Sequence, residues 1–190
     1  FETIYTIIQS IDADRITLEV VDGALAVATD NYRARIQGIK SDEFPIIPKL
    51  TESRTSLTLP TPILIDGLTA VTYAAHVSEI RPELGGILFD FQVTLLKLVA
   101  TDSFRLAERI ITTKHFKTET LVGSKAIIPL KTVQELQRVF TGEEHITVSI
   151  DDHQVLFEGV KTRIVSRLLG GTYPEYEQII PKRHEAHCIV

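Results

Sequence analysis

Residues 146–182, ITVSIDDHQVLFEGVKTRIVSRLLGGTYPEYEQIIPK, decide how this chain is read, because their pattern occurs twice. Residues 16–49, ITLEVVDGALAVATDNYRARIQGIKSDEFPIIPK, open on the same alternating run, Ile16, Leu18 and Val20 against Ile146, Val148 and Ile150. Alternation of apolar and polar side chains is the signature of a strand with one buried face. Both segments then turn at an acidic point, Asp22-Gly23 or Asp151-Asp152, and continue into a second strand and a third that opens on Arg33 or Arg163. Both close on an aromatic-Pro pair followed by Ile-Pro-Lys: Phe44-Pro45 and Ile47-Pro48-Lys49, against Tyr173-Pro174 and Ile180-Pro181-Lys182. Upstream, Ile4, Ile7 and Ile11 share one helical face, as do Val133, Leu136 and Phe140. A block of helix, three strands and loop therefore recurs at an offset of about 130 residues. So long an offset predicts duplicated domains rather than a solenoid of short repeats.

The repeat sets boundaries. Residues 1–50 are expected to be the second half of one domain, 51–182 a complete second domain, and 183–190 the start of a third. Within the complete domain, Thr61-Pro62 predicts a helix N-cap with Pro at the first helical position. Leu64, Leu68, Val71 and Ala75 keep helical spacing behind it, to about His76. Strands are expected over 86–91, 95–100, 105–111 and 121–128, then a helix from Pro129 to about Phe140, then three more strands. Halves of this form predict an α+β domain with internal pseudo-symmetry, its helices on one face of antiparallel sheets.

Composition narrows the class. The 190 residues are 44% hydrophobic and 24% charged, as in ordinary globular domains. No apolar run approaches the roughly 18 residues that a membrane helix needs. The opening FETIYTIIQS lacks the basic region and cleavage site of a signal peptide. The single cysteine, Cys188, has no internal partner, so a reducing, cytoplasmic setting is expected. The chain has no Met, opens inside a helical pattern and ends on the strand-like HCIV, which points to a piece of something longer. A net charge of -5 argues against broad nucleic-acid binding but leaves room for a local basic patch.

Between the two copies of the repeat lies Leu98–Arg109, LVATDSFRLAER. An apolar run breaks at Thr101-Asp102-Ser103 and resumes around Arg105, between Phe104 and Leu106. Asp102 is expected to hydrogen-bond the backbone of this turn. Together with GGTYPEYEQIIPK and the preceding RPELGGILFDF, this segment resembles the bacterial DNA sliding clamp, the beta subunit of DNA polymerase III, along essentially the whole chain.

The resemblance implies a non-enzymatic processivity factor without cofactor or metal. Such a subunit has three similar domains and pairs with a second copy to close a homodimeric ring around duplex DNA, with helices inside and sheets outside. It implies partners that dock short linear peptides: the polymerase III alpha subunit, the clamp loader and repair polymerases. Carried over by position, the peptide pocket would use Leu84, Thr101, Ser103, Phe104, Arg105, Leu106, Pro174, Gln178 and Ile179. Leu84, Leu106, Pro174 and Ile179 would be walls, and Thr101, Ser103 and Arg105 would supply hydrogen bonds. Phe104 stands where some members carry histidine, and Gln178 where some carry arginine. Arg81 and Lys131 would face DNA. Beside these assignments stand plain alternatives: core packing for the apolar residues and a sheet-edge ion pair for Arg105.

Other candidates are weaker. Asp151-Asp152-His153 and His184-Glu185-Ala186-His187-Cys188 lack a complete ligand set at a familiar spacing. Gly170-Gly171 lacks the Lys-Ser/Thr of a phosphate loop. A metal-dependent hydrolase built on Asp151 and Asp152, and a peptide-binding module that encircles nothing, remain the competing functions.

Overall fold

The computed structural model describes residues 2–43, 55–78, 80–112, 114, 117–120 and 123–181. The chain divides into two compact units, 1–48 and 49–190.

In the first unit, helix α1 (Glu2–Ser10) precedes a meander of β1 (Thr17–Val21), β2 (Ala24–Ala28) and β3 (Arg33–Gln37), antiparallel in that order. Asp22 and Gly23 both have positive φ, 51° and 74°, which is the backbone twist a two-residue hairpin loop requires. Ala24 and Val27 are buried, but β1 is exposed throughout. Leu18 and Val20 thus differ from their repeat counterparts Val148 and Ile150, which are buried. Strand β1 is an edge strand with no buried residue of α1 over it, whereas the matching strand of the second unit has a neighbour on both sides and lies in the apolar core.

The second unit runs β4 (Thr55–Pro60), α2 (Thr61–Thr72), a 3-10 turn (Pro82–Leu84), β5 (Gly86–Phe91), β6 (Leu95–Thr101) and β7 (Leu106–Thr112). It continues through β8 (Lys117–Thr120), β9 (Ser124–Pro129), α3 (Leu130–Val139), β10 (His145–Ile150), β11 (Gln154–Glu158), β12 (Arg163–Arg167) and a last 3-10 turn (Tyr176–Gln178). The expected duplication is visible in detail. Strands β2 and β11, and β3 and β12, start at the same offset. Their hairpins close on equivalent bonds, Thr29 N to Tyr32 O and Gly159 N to Thr162 O, both 2.8 Å. The Phe44-Pro45 and Ile47-Pro48-Lys49 endings lie outside the described residues, as do Lys182 and the 183–190 tail.

Each half of the second unit is a strand, a helix and a three-strand meander, and the lead strands are exchanged. Strand β4 pairs with β10 in the sheet β12-β11-β10-β4-β8, and β9 pairs with β5 in the sheet β7-β6-β5-β9. Pro60 and Pro129 end the lead strands in extended conformation and pass directly into α2 and α3. The first helical amides then cross over: Thr61 N donates to Glu144 O (2.9 Å) and Leu130 N to Gly85 O (3.0 Å). These carbonyls stand just before β10 and β5, so each helix start is tied to the other half's meander.

The two helices cover the inner faces of both sheets. Leu64, Leu68 and Val71 of α2 and Val133, Leu136 and Phe140 at α3 join Leu57, Phe89, Leu98, Ile128, Val148 and Phe157 in one apolar core. Phe89 meets Phe157 edge-on at 6.3 Å. The architecture is α+β, helices on one side of antiparallel sheets. Among the described residues no helix is long and apolar enough to cross a membrane.

Three expectations need correction. Thr61 is not the N-cap: it is the first helical residue, Pro60 precedes it, and its buried hydroxyl has no hydrogen-bond partner among the described residues. Helix α2 ends at Thr72, so Ala75 packs on the core from beyond the helix rather than from its face. Strands β4 and β8 lie where no strand was expected. Strand β4 alternates Leu57 and Leu59 with hydroxyl residues that meet hydroxyls on neighbouring strands, Ser56 with Ser149 (3.2 Å) and Thr58 with Thr147 (2.9 Å).

Candidate functional site

The outer face of the four-stranded sheet carries a second, smaller apolar cluster. Strand register explains it: Glu108, Val99, Leu88 and Ile127 stand in one row across β7, β6, β5 and β9. Side chains in such a row share a face. Leu106 and Thr101 pair in the adjacent row on one side, and Ile110, Lys97, Asp90 and Lys125 form the row on the other. Leu84, Leu88, Val99, Ile127, Tyr173 and Tyr176 are buried together there, with Leu106 and Leu169 packed at the margin.

At one end of this face the β6–β7 connection is built by hydrogen bonds. The Thr101 hydroxyl donates to Arg105 O (2.7 Å) and accepts from Ser103 N (3.1 Å). Asp102 Oδ1 accepts from the amides of Phe104 (2.9 Å) and Arg105 (2.7 Å), and its Oδ2 accepts from Arg105 Nε (2.9 Å). These bonds, the Arg105 amide foremost, pull the Asp102 carboxyl down to about 2. Ser103 takes φ 75°, unusual for a residue with a Cβ. The result is a rigid turn that presents Phe104 almost wholly to solvent, 97% exposed. Arg81, just before the first 3-10 turn, reaches the same place: Nη1 donates to Ser103 Oγ (3.4 Å) and Nε lies 3.4 Å from Glu83.

Over the same face runs a strap, residues 168–181, outside any strand. Leu168 N donates to His153 O (2.8 Å) and Leu169 N to Ile127 O (2.9 Å), which anchors its start. Further along, side chains hold it. Tyr173 donates to Val99 O (3.4 Å) and Tyr176 to Glu108 Oε2 (2.8 Å). Lys97 Nζ bridges Glu177 (2.6 Å) and Glu108 (3.6 Å). Burial pushes the Tyr173 phenol up to about 12, and burial with the Glu108 contact pushes Tyr176 up as well. The hydrogen bond to Glu177 raises Lys97 and lowers Glu177. Pro174 is half-buried between the tyrosines; Gln178 ends the last 3-10 turn and Ile179 follows it, both exposed.

A hydrogen-bonded turn with an exposed aromatic, an apolar floor and a strap across it thus meet on the outer face of the four-stranded sheet. The family model that matches residues 58–175 is that of the DNA polymerase III beta subunit, central domain. The chain belongs to the DNA polymerase III beta subunit family.

It is 30% identical over 182 residues to the beta sliding clamp of Synechococcus elongatus, covering 94% of this chain and 48% of that one. With the beta sliding clamp of Halalkalibacterium halodurans it shares 31% over 178 residues, 93% of this chain and 46% of the relative. The chain thus spans about half the length of these relatives. The DNA polymerase III beta subunit of Thermotoga maritima superposes with a TM-score of 0.76 at 27% identity, over 95% of this chain and 48% of that one. The Helicobacter pylori beta clamp bound to a DNA ligase peptide superposes at 0.82 with 24% identity, over 97% and 51%, a likeness of fold. The second unit therefore has the sliding-clamp fold.

Against that family frame, the residues named from sequence fall into three groups. Leu84 and Leu106 pack with the strap tyrosines, Leu84 buried as floor rather than open wall, and Thr101 is buried with its hydroxyl bonded within the turn. Ser103, Phe104 and Arg105 form the turn, where Arg105 is tied to Asp102 in the ion pair weighed as its plain alternative. Pro174, Gln178 and Ile179 belong to the strap. Lys131 lies apart, exposed on α3.

Sequence reasoning missed Tyr173, Tyr176, Lys97 and Glu108. The two tyrosines bracketing Pro174 at a spacing of three were the available signal. Asp151 spends Oδ1 on the amides of His153 (2.8 Å) and Gln154 (2.7 Å), a tight hairpin tip. Among the described residues no cluster of three His, Cys, Asp or Glu could hold a metal. His184–Cys188 lie outside them.

Proposed function

We propose that this chain is part of a sliding-clamp subunit that encircles duplex DNA as a homodimeric ring and tethers replication and repair proteins through a peptide pocket, without catalysis of its own. Residues 1–50 are read as half of the first clamp domain, 51–182 as the middle domain and 183–190 as the start of the third. The observation that carries this reading is the match of 58–175 to the beta subunit's central domain. The outer-face site supports it further, and so does the fold relative solved with a DNA ligase peptide. A cytoplasmic location accompanies a role in replication.

The pocket is read as Leu84 and Leu106 at the floor, Thr101, Ser103, Phe104 and Arg105 at the turn, and Pro174, Gln178 and Ile179 on the strap. Partners would be the polymerase III alpha subunit, the clamp loader and repair polymerases, each through a short linear peptide. The resemblance puts Arg81 with Lys131 on the DNA side; its contact with Ser103 favours the peptide side instead.

The test is fluorescence polarisation of a polymerase C-terminal peptide on the full-length protein, with retention on circular against linear DNA. Saturable binding that Arg105→Ala weakens about tenfold, and retention on circular DNA alone, are expected. A folded full-length protein without saturable binding removes the pocket, and equal retention on linear DNA removes the ring.

A further inference from the structure

The strap that contributes Pro174, Gln178 and Ile179 is held over the sheet by surprisingly little backbone bonding. After Leu169, no main-chain hydrogen bond ties it to a strand among the described residues. The bonds Tyr176 N to Pro174 O and Ile179 N to Tyr176 O are local. Its placement thus rests on side chains: the Tyr173 and Tyr176 rings in the apolar cluster and a polar cluster beyond them. In that cluster Tyr176 donates to Glu108, and Lys97 lies between Glu108 and Glu177. The Lys97 and Glu108 side chains are only 15% and 22% exposed, so their contact is less screened than a surface ion pair, while Glu177 reaches Lys97 from the exposed side, 59% exposed. Lys97 and Glu108 come from the two strands that also carry the Thr101–Arg105 turn. One cluster therefore connects the strap to the strands beneath the opposite wall.

We infer that Lys97, Glu108, Tyr176 and Glu177 form a latch that sets the position of the strap, and so act as positioning residues for peptide binding without touching the peptide. This rests on the pocket reading above. The cost of a loose strap is entropic: a wall that must be ordered on binding subtracts that ordering from affinity. Removing the latch should therefore weaken peptide binding while leaving the apolar core intact.

The test uses the full-length protein and Tyr176→Phe, Lys97→Met and Lys97→Arg. Amide hydrogen exchange of residues 174–181 is followed without peptide, thermal unfolding is recorded, and peptide affinity is read by fluorescence polarisation. Tyr176→Phe keeps the ring and removes only the hydroxyl. It and Lys97→Met should each speed strap exchange and weaken peptide about three- to tenfold, the range of an ordinary net hydrogen bond. Exchange in β5 and β6 should stay unchanged, and Lys97→Arg should restore both strap readouts. Arg105→Ala should weaken peptide with strap exchange unaltered.

Unchanged strap exchange in both Tyr176→Phe and Lys97→Met overturns the latch. Faster strap exchange with unchanged affinity overturns its positioning role. Faster exchange in β5 and β6 as well means general destabilisation and also overturns it. If the unmodified protein binds no peptide, the pocket reading fails, and strap exchange still decides separately whether the latch exists.

Discussion

Asp102 shows how a single carboxylate shapes the candidate site. It accepts two backbone amides and the Arg105 guanidinium, and each favours its charged form. Its value in the folded chain, about 2, is below its ordinary one, so its contribution is complete above pH 4 and is lost as the pH falls through about 2. An NMR titration should show the Ser103, Phe104 and Arg105 amides shifting together in that window, and Asp102→Asn should move the midpoint out of it. A midpoint near 4 would mean the turn does not hold Asp102 in solution. Gly86 is the second sensitive position. A Cβ there would come within 2.5 Å of Ile128 O and 2.9 Å of Leu169 Cδ1, so the sheet and the strap start both press on it. Gly86→Ala should cost about 1–3 kcal/mol in urea unfolding, as overpacking does. The turn role of Asp102 was legible in sequence because Asp next to Ser after an apolar run is local chemistry. The burial of Thr101 and Leu84 was not, because it depends on strap residues roughly seventy to ninety positions away in the chain.

At the level of elements, what was legible followed strand periodicity and the repeat. Strands β5, β6, β10, β11 and β12 and helix α3 fall close to their expected spans, β5 and β6 as short apolar runs and the others through periodicity and the repeat. Strand β4 escaped because Ser and Thr carry its outward positions and it precedes a helix without any loop between. Its importance is out of proportion to that weak signal. As the lead strand of the first half paired into the second half's sheet, it joins the two meanders, and β9 does the converse. Neither half can open without breaking a ladder of the other, so the second unit should unfold as one cooperative body. Leu57, fully buried on β4, tests this. Leu57→Ala should cost about 2–5 kcal/mol. Native-state hydrogen exchange should then accelerate equally in β5–β6 and in β10–β11. Acceleration confined to β10–β11 would show that the two sheets open separately and that the exchanged strands do not couple them.

For the whole molecule, the clamp reading asks how a chain of net charge -5 would hold a polyanion. The outward surfaces of α2 and α3 answer in part. Gln137 donates to Thr69 across them (3.0 Å), and both helices show short polar or uncharged side chains to solvent around that bond. Their charged groups are Asp66, Lys131, Glu135 and Arg138, and Arg138 is bound to Glu135 at 2.6 Å. Lys131 makes no ion pair among the described residues and is exposed, so it carries the available positive charge of this helix pair. Each cation that neutralises a phosphate adds about one to the slope of log affinity against log salt. On the clamp reading, Lys131→Ala in the full-length protein should therefore weaken duplex binding at low salt, uniformly across sequences, and reduce that slope by about 1. Arg138→Ala should have a smaller effect, because Glu135 already offsets its charge. Few contacts of this kind give attachment that is loose at any one register, which is what a ring that stays on by topology requires. A slope that is the same with and without Lys131 would place this helix pair away from the phosphates and return Lys131 to the ordinary surface.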